Sequence, residues 1–243
     1  MTPSPAQSDL RAACLDVALR AREARLRLAQ TSPAERSALL LAIAGELSTH
    51  ADAILTANAQ DIAAGADLSP AMRDRLRLDP ARLESMARAV EQIAGQPDPV
   101  GEVVEGRVLP NGIRLEKRRV PLGVVLIIYE SRPNVTSDAA ALCLRSGNAV
   151  ILRGGKETIR TNRAVIAAIH AALGPAGLRE AVGFVDTPDR GAVGHLVRMR
   201  GVIDLCIPRG GPGLIAAVAE QALIPIVKHD AGNCHIYIDA HLD

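Results

Sequence analysis

The sequence predicts an α/β protein: a doubly wound, mostly parallel sheet, preceded by a helical segment and a β-hairpin arm. Three observations predict it. Apolar residues recur at helical spacing from Leu10 to about Ile93, the pattern then breaks into short alternating segments around Asn111-Gly112, and from Val124 onward short β-branched runs alternate with helix-forming ones. The chain therefore divides into residues 1–99, helical and expected to pack on the following domain, 100–120, the hairpin, and 121–243, the α/β domain.

In the first segment Leu10, Cys14, Val17, Ala21, Ala24 and Leu28 form one helical stripe, and Leu83, Met86, Val90 and Ile93 another. "TSPAER" (31–36) opens a helix, with Ser32 as N-cap, Pro33 at the first helical position and Glu35 closing a capping box. Ser69 and Pro70 repeat the device. The segment reads as a surface helical layer without chemistry of its own.

Between Val100 and Val120, "GEVVEGRVLPNGIRLEKRRV" places an Asn-Gly turn between two segments that alternate apolar and polar residues, which is the signature of a hairpin. Its strands are rich in Arg, Glu and Lys, so one face is wet or meets another subunit. The arm is a candidate for homo-oligomer formation.

From Val124 the order is regular. "VVLIIY" (124–129) precedes a helix from about Asn134 to Arg145, and "NAVILR" (148–153) one from about Thr158 to Leu173. "AVGFVD" (181–186) precedes "TPDRGAVGHLV", "VIDLCIP" (202–208) precedes "GPGLIAAVAEQA", and "IPIVKH" (224–229) follows as a further strand. Nearly continuous apolar strands joined by helices indicate a parallel sheet covered on both faces. Ligands of such sheets bind beyond the carboxyl ends of the strands, at the loops leading into the helices.

Composition narrows the function classes. The 243 residues can bury a large core, and 48% hydrophobic with 23% charged residues at net charge +1 argues against disorder and against a nucleic-acid partner. One Phe and no Trp leave Leu, Ile, Val and Ala to fill the core, so Ala-rich helices packed close to the sheet are expected. Cys14, Cys143, Cys206 and Cys234 form no CxxC pair, which indicates neither a metal site nor a disulfide framework and suits a reducing cytoplasm. No apolar run approaches a membrane span, and "MTPSPAQSDLRAA" lacks a basic region followed by an apolar core, so no membrane association is expected.

The strand-to-helix loops hold the candidate chemistry. After the first strand come Glu130, Ser131, Arg132, Pro133 and Asn134. Asn134 can serve as an N-cap, as an amide that stabilises a developing oxyanion, or as both; Glu130 and Arg132 either pair or leave Arg132 to meet an anionic substrate group. After the second strand, Arg153, Gly154, Gly155, Lys156 and Glu157 combine a tight glycine turn with positive charge at a helix start, which suits phosphate or ribose hydroxyls. Arg209, Gly210 and Gly211 repeat the chemistry after "VIDLCIP". Two basic glycine turns on one sheet edge favour a phosphorylated cofactor.

Among the cysteines, Cys14, Cys143 and Cys206 read as small core hydrophobes. Cys234 adjoins His235, but neighbours in an extended segment point to opposite faces, which disfavours a catalytic pair. His229 and Asp230 read as a polar loop.

"GIRLEKRRVPLGVV", "YESRPNVTSDAAALCLRSGNAVILRGGKET", "IDLCIPRGG" and "CHIYID" together resemble the γ-glutamyl phosphate reductases (glutamate-5-semialdehyde dehydrogenases) of the aldehyde dehydrogenase superfamily, over essentially the whole chain. The resemblance implies a Rossmann-like cofactor domain that binds NADPH. It also implies reduction of L-glutamyl 5-phosphate to glutamate 5-semialdehyde with phosphate release, the second step of proline biosynthesis, with glutamate 5-kinase as a candidate partner. A Cys thiolate displaces phosphate in that family to give a thioester, which hydride from NADPH reduces. Asn134 matches the oxyanion-stabilising Asn, and Arg153 the basic residue at the adenosine ribose. Lys156 stands where many NAD-dependent relatives carry a Glu that holds the ribose hydroxyls, and a cation there favours a 2′-phosphate.

Two departures accompany the match. Oxidative relatives carry a general-base Glu in a Glu-Leu-Gly-Gly segment, where this chain reads "KHDAGN". The family's nucleophilic Cys lies in a catalytic domain that follows the segment resembling "CHIYID", so this chain is expected to be the cofactor-binding portion, inactive alone. The alternatives are a truncated homologue that binds a nucleotide or regulates, and a related acyl-phosphate or aldehyde reductase.

Overall fold

The computed structural model describes residues 5–130, 132–228 and 235. Five helices come first: α1 (Pro5–Leu28), α2 (Pro33–Thr49), α3 (Ala51–Ala64), α4 (Pro70–Leu76) and α5 (Pro80–Ala94). The predicted caps form. Ser32 Oγ accepts from Glu35 N at 3.2 Å while Glu35 returns to Ser32 N at 2.6 Å, and Ser69 Oγ accepts from Met72 N at 3.3 Å. Asp79 caps α5 in the same way, accepting from Arg82 N ahead of Pro80.

The hairpin pairs β1 (Val103–Val108) antiparallel with β2 (Arg114–Arg118), and both strands are exposed throughout. Gly112 turns it with φ +86°, a conformation that favours glycine.

β3 (Val124–Tyr129), α6 (Asn134–Arg145), β4 (Ala149–Arg153), α7 (Ile159–Leu173), β5 (Val182–Phe184), α8 (Gly191–Leu196), β6 (Leu205–Arg209) and α9 (Pro212–Gln221) follow. The four strands form one sheet in the order β5-β4-β3-β6, each neighbouring pair parallel. β3 is thus flanked by the strand that follows it and by the last, so the loops after β4 and β6 open on either side of its end. "IPIVKH" departs from its expected strand: among the described residues only Ile226 bridges to Cys206, and Pro225 has no N–H to donate to a ladder.

Alternation along β3 builds two core layers. Val125, Ile127 and Tyr129 face the layer of α2, α3, α5, α6 and α7, where Ala139, Ala140, Ala141 and Ala168 let helix and sheet approach closely. Val124, Leu126 and Ile128 face α1, α8 and α9, meeting Cys14, Ala18 and Ala21 of α1.

A buried polar joint ties the helical layer to the loop after β4. Asp61 of α3 accepts from Thr161 N at 2.8 Å and Thr161 Oγ1 at 2.7 Å, capping the start of α7 in place of a local side chain. Asn58 braces the chain after α4 by donating to Leu76 O and accepting from Leu78 N, each at 2.8 Å.

Candidate functional site

Three contiguous clefts open at the carboxyl ends of the strands. The first, about 630 Å³, lies between the loop after β4 and the faces of α8 and α9; Arg153, Gly155, Lys156, Glu157 and Arg190 line it opposite Val193, Leu214, Ala217 and Val218. Arg153 is buried at the end of β4. Its Nη2 donates to Pro188 O at 3.2 Å and Asp189 O at 3.3 Å, while its Nε is buried without a partner. Burial, then the Arg190 charge, lowers its pKa, yet a guanidinium keeps its proton at any physiological pH.

The turn that carries Lys156 is fixed from behind. Tyr129 O–H donates to Thr136 Oγ1 at 2.7 Å, Thr136 to Asn162 Oδ1 at 3.0 Å, Asn162 Nδ2 to Thr158 Oγ1 at 3.1 Å and Thr158 to Gly155 O at 3.3 Å. Each hydroxyl donates once along this buried chain, and burial pushes the Tyr129 pKa well up, so it stays protonated. Gly154 lies directly over it: a Cβ there would stand 2.2 Å from Asn162 Nδ2 and 3.2 Å from the Tyr129 ring. The sequence suggested glycine for a tight turn; the structure requires it at Gly154 for packing underneath the loop.

The second cleft, about 430 Å³, holds Arg132, Arg209, Gly210, Gly211 and Arg75, and shares Met72, Tyr129 and Glu130 with the first. Glu130 does not take Arg132 as its partner. Its Oε2 accepts from Gly211 N at 2.9 Å, and a Cβ on Gly210 would come within 2.6 Å of its carboxyl carbon. The two basic glycine turns therefore lie in neighbouring clefts, on either side of β3.

Arg132 also lines the third cleft, about 430 Å³, with Asn134, Asp138, Arg75, Arg77 and Arg82. Asn134 is not the N-cap that its position suggested. Pro133 takes that place in a helical conformation, with no side-chain cap bond, and Asn134 becomes the first residue of α6. Its Nδ2 donates to Asp138 Oδ2 at 2.9 Å, one helical turn on. Burial raises the pKa of Asp138, and the bond from Asn134 acts against that rise.

The described cysteines are poor nucleophiles. Cys14, Cys143 and Cys206 are buried, and burial holds the pKa of Cys143 and of Cys206 at about 12. Cys234, His229 and Asp230 lie outside the described residues. Among the described residues no group of three or more His, Cys, Asp or Glu could hold a metal ion, and no single helix is long and apolar enough to cross a membrane.

Lys156 and Arg190 supply charge for phosphates, the unspent Nε of Arg153 seeks an acceptor, and the apolar wall from α8 and α9 suits a flat base; this donor set fits a phosphorylated dinucleotide. Sequence reading missed several of these residues. Arg190 follows β5 at a strand end, so the rule that found Arg153 reaches it too. Asp138 had a signal in its i,i+4 spacing from Asn134. Met72 and Arg75 had none, since they arrive from the helical layer that was expected to carry no chemistry.

A family model described as "Aldehyde dehydrogenase family" matches residues 6–207. A curated relative, gamma-glutamyl phosphate reductase of Escherichia fergusonii, is 54% identical over 222 residues, which are 90% of this chain and 53% of the relative. The solved structure of gamma-glutamyl phosphate reductase from Thermotoga maritima aligns with a TM-score of 0.89 at 38% identity, over 93% of this chain and 56% of the other. That from Saccharomyces cerevisiae aligns with a TM-score of 0.83 at 32% identity, over 90% and 56%. The chain thus spans about half the length of the relatives it matches.

Proposed function

This chain belongs to the aldehyde dehydrogenase family, and on that premise we propose that it is the cofactor-binding portion of an NADPH-dependent reductase of proline biosynthesis, converting L-glutamyl 5-phosphate to L-glutamate 5-semialdehyde with release of phosphate. The observation that carries the reading is the 54% identity to a gamma-glutamyl phosphate reductase over nine-tenths of the chain. The cationic first cleft supports the cofactor half of it, because Lys156 and Arg190 offer charge where a ribose-binding carboxylate would repel a 2′-phosphate.

In this reading Arg153 and the turn from Gly154 to Glu157 hold the adenosine end of the cofactor, and Arg209, Gly210 and Gly211 approach its phosphates. NADPH, when bound, supplies the hydride. The described thiols are buried, and burial raises their pKa values, which supports placing the attacking thiolate in a catalytic domain outside this chain, as the family resemblance implies. That thiolate adds to the acyl carbon, the carbon–oxygen bond to phosphate breaks and inorganic phosphate leaves; hydride addition to the resulting thioester carbon, followed by breaking of the carbon–sulfur bond, would release the semialdehyde and return the thiolate. Asn134 donates an N–H to the acyl oxygen as it gains charge, and Arg132 meets an anionic group of the substrate. Glutamate 5-kinase would supply the acyl phosphate in the same cytoplasm. The exposed hairpin, with Val104, Val108, Ile113 and Leu115 in water, would seat against a second copy.

Two measurements test the reading: titration of this chain with NADPH and with NADH, and production of semialdehyde by the full-length enzyme from glutamyl against aspartyl phosphate. Tighter NADPH binding and turnover of glutamyl phosphate are expected. A chain that binds neither nucleotide, or an enzyme that prefers aspartyl phosphate, would sink it.

A further inference from the structure

We propose that Asp138 is the positioning residue of Asn134, holding its amide so that an N–H, and not the carbonyl, is presented to the third cleft. The inference rests on the oxyanion reading of Asn134 given above.

An amide side chain has nearly the same shape after a half-turn but opposite hydrogen-bonding chemistry, and only its N–H₂ end can stabilise a developing oxyanion. Asn134 needs something to choose that end. It is exposed on the first turn of α6 and caps nothing, and its Nδ2 is bonded to Asp138 Oδ2 at 2.9 Å. An ionised carboxylate only accepts, so Asp138 selects the N–H₂ end and rejects the carbonyl. One amide hydrogen is used in that bond; the second is left for a ligand. Helical spacing puts both side chains on the same face, and both line the third cleft.

A second observation separates this role from helix stabilisation. Asp138 Oδ1 is buried without a hydrogen-bond partner, and none of Arg75, Arg77, Arg82 and Arg132, which line the same cleft, forms an ion pair with Asp138 among the described residues. Burial accordingly raises its pKa, and the hydrogen bond from Asn134, which the carboxylate accepts, acts against that rise. A carboxylate that has lost water from one oxygen and gained nothing there costs the fold stability. Such uncompensated groups collect where a site uses them. Asparagine at this position would relieve the charge at constant shape, but it could face Asn134 with either end and would no longer fix the amide. Stability and turnover should therefore respond in opposite directions.

The test compares Asn134→Ala, Asp138→Asn and the double variant in the full-length enzyme with saturating NADPH, together with melting of this chain carrying Asp138→Asn. Asn134→Ala is expected to lower kcat on the order of 10²–10³-fold and Asp138→Asn about tenfold with KM unchanged, while the double variant falls no further than Asn134→Ala. The Asp138→Asn chain should melt at or above the parent temperature. Equal kcat losses from Asp138→Asn with and without Asn134, or a lower melting temperature with kcat intact, would overturn the assignment and leave Asn134 in its role. An Asn134→Ala enzyme with unaltered kcat would overturn both readings.

Discussion

Glu130 accepts the backbone N–H of Gly211 at 2.9 Å, joining the loop after β3 to the loop after β6 across the carboxyl edge of the sheet. The bond spans two of the clefts, and it positions the turn that carries Arg209. Glu130→Ala is expected to weaken NADPH binding by this chain about three- to tenfold, the loss of one charge-assisted hydrogen bond near the surface, with little change in melting temperature. Calorimetric titration beside thermal melting checks both halves; unchanged affinity would show that the turn holds itself.

Gly154→Ala puts a methyl group where Asn162 Nδ2 and the Tyr129 ring leave no room. The expected cost is about 1–3 kcal/mol, a drop in melting temperature of roughly 2–12 °C for a chain of this size. Adding Asn162→Ser should return part of it. If Gly154→Ala melts with the parent, the turn moves more freely than its buried hydrogen-bond chain implies.

Lys156→Glu reverses the charge in the first cleft at the position taken to hold a 2′-phosphate. The preference for NADPH over NADH is expected to fall by at least about tenfold and to move toward NADH. Parallel titrations with the two nucleotides measure it, and an intact preference contradicts the assignment.

His170 gives the fold a dependence on pH. Its Nε2–H donates to Val182 O at 2.8 Å and its Nδ1 accepts from Arg179 Nε at 3.3 Å, so the neutral ring is the form that fits. Burial lowers its pKa below the ordinary 6.5, with the carbonyl of Val182 acting against that shift. The unfolded chain then binds more protons than the folded one just below pH 6.5, so this contribution to stability is complete above 6.5 and is lost as the pH falls toward the folded pKa. Melting temperature should decline through that window, and His170→Gln should flatten the decline; equal slopes in the two proteins would remove His170 as its source.

Local signals carried most of the fold. Ser32, Ser69, Asn111-Gly112 and the apolar run 124–129 each act within a few residues, and each forms the element its sequence announces. The site was legible to the extent that it follows strand ends: Arg153, Lys156 and Arg209 lie where the topology rule puts them. What escaped depends on residues distant in sequence. Arg75 joins Arg132 in lining two clefts because α3 and α4 are tied to α7 by Asn58 and Asp61, and Glu130 finds Gly211 because β6 pairs with β3. The identity of Gly154 was legible as a glycine turn, but its cause lies beneath the loop in Asn162. Asn134 was displaced from its expected cap because Pro133 already adopts a helical conformation.

The sheet face that α1 covers sets a problem of timing. Cys14, Ala18 and Ala21 meet Val124, Leu126 and Ile128, about a hundred residues later in the chain. During synthesis at about 5–20 residues per second, the apolar stripe of α1 leaves the ribosome roughly 5–20 s before its partner strand exists. Contacts of such long sequence separation slow folding and leave the stripe without its partner in the interval. Making that stripe less apolar would reduce what is exposed during the interval, but at the expense of the sheet face it later covers.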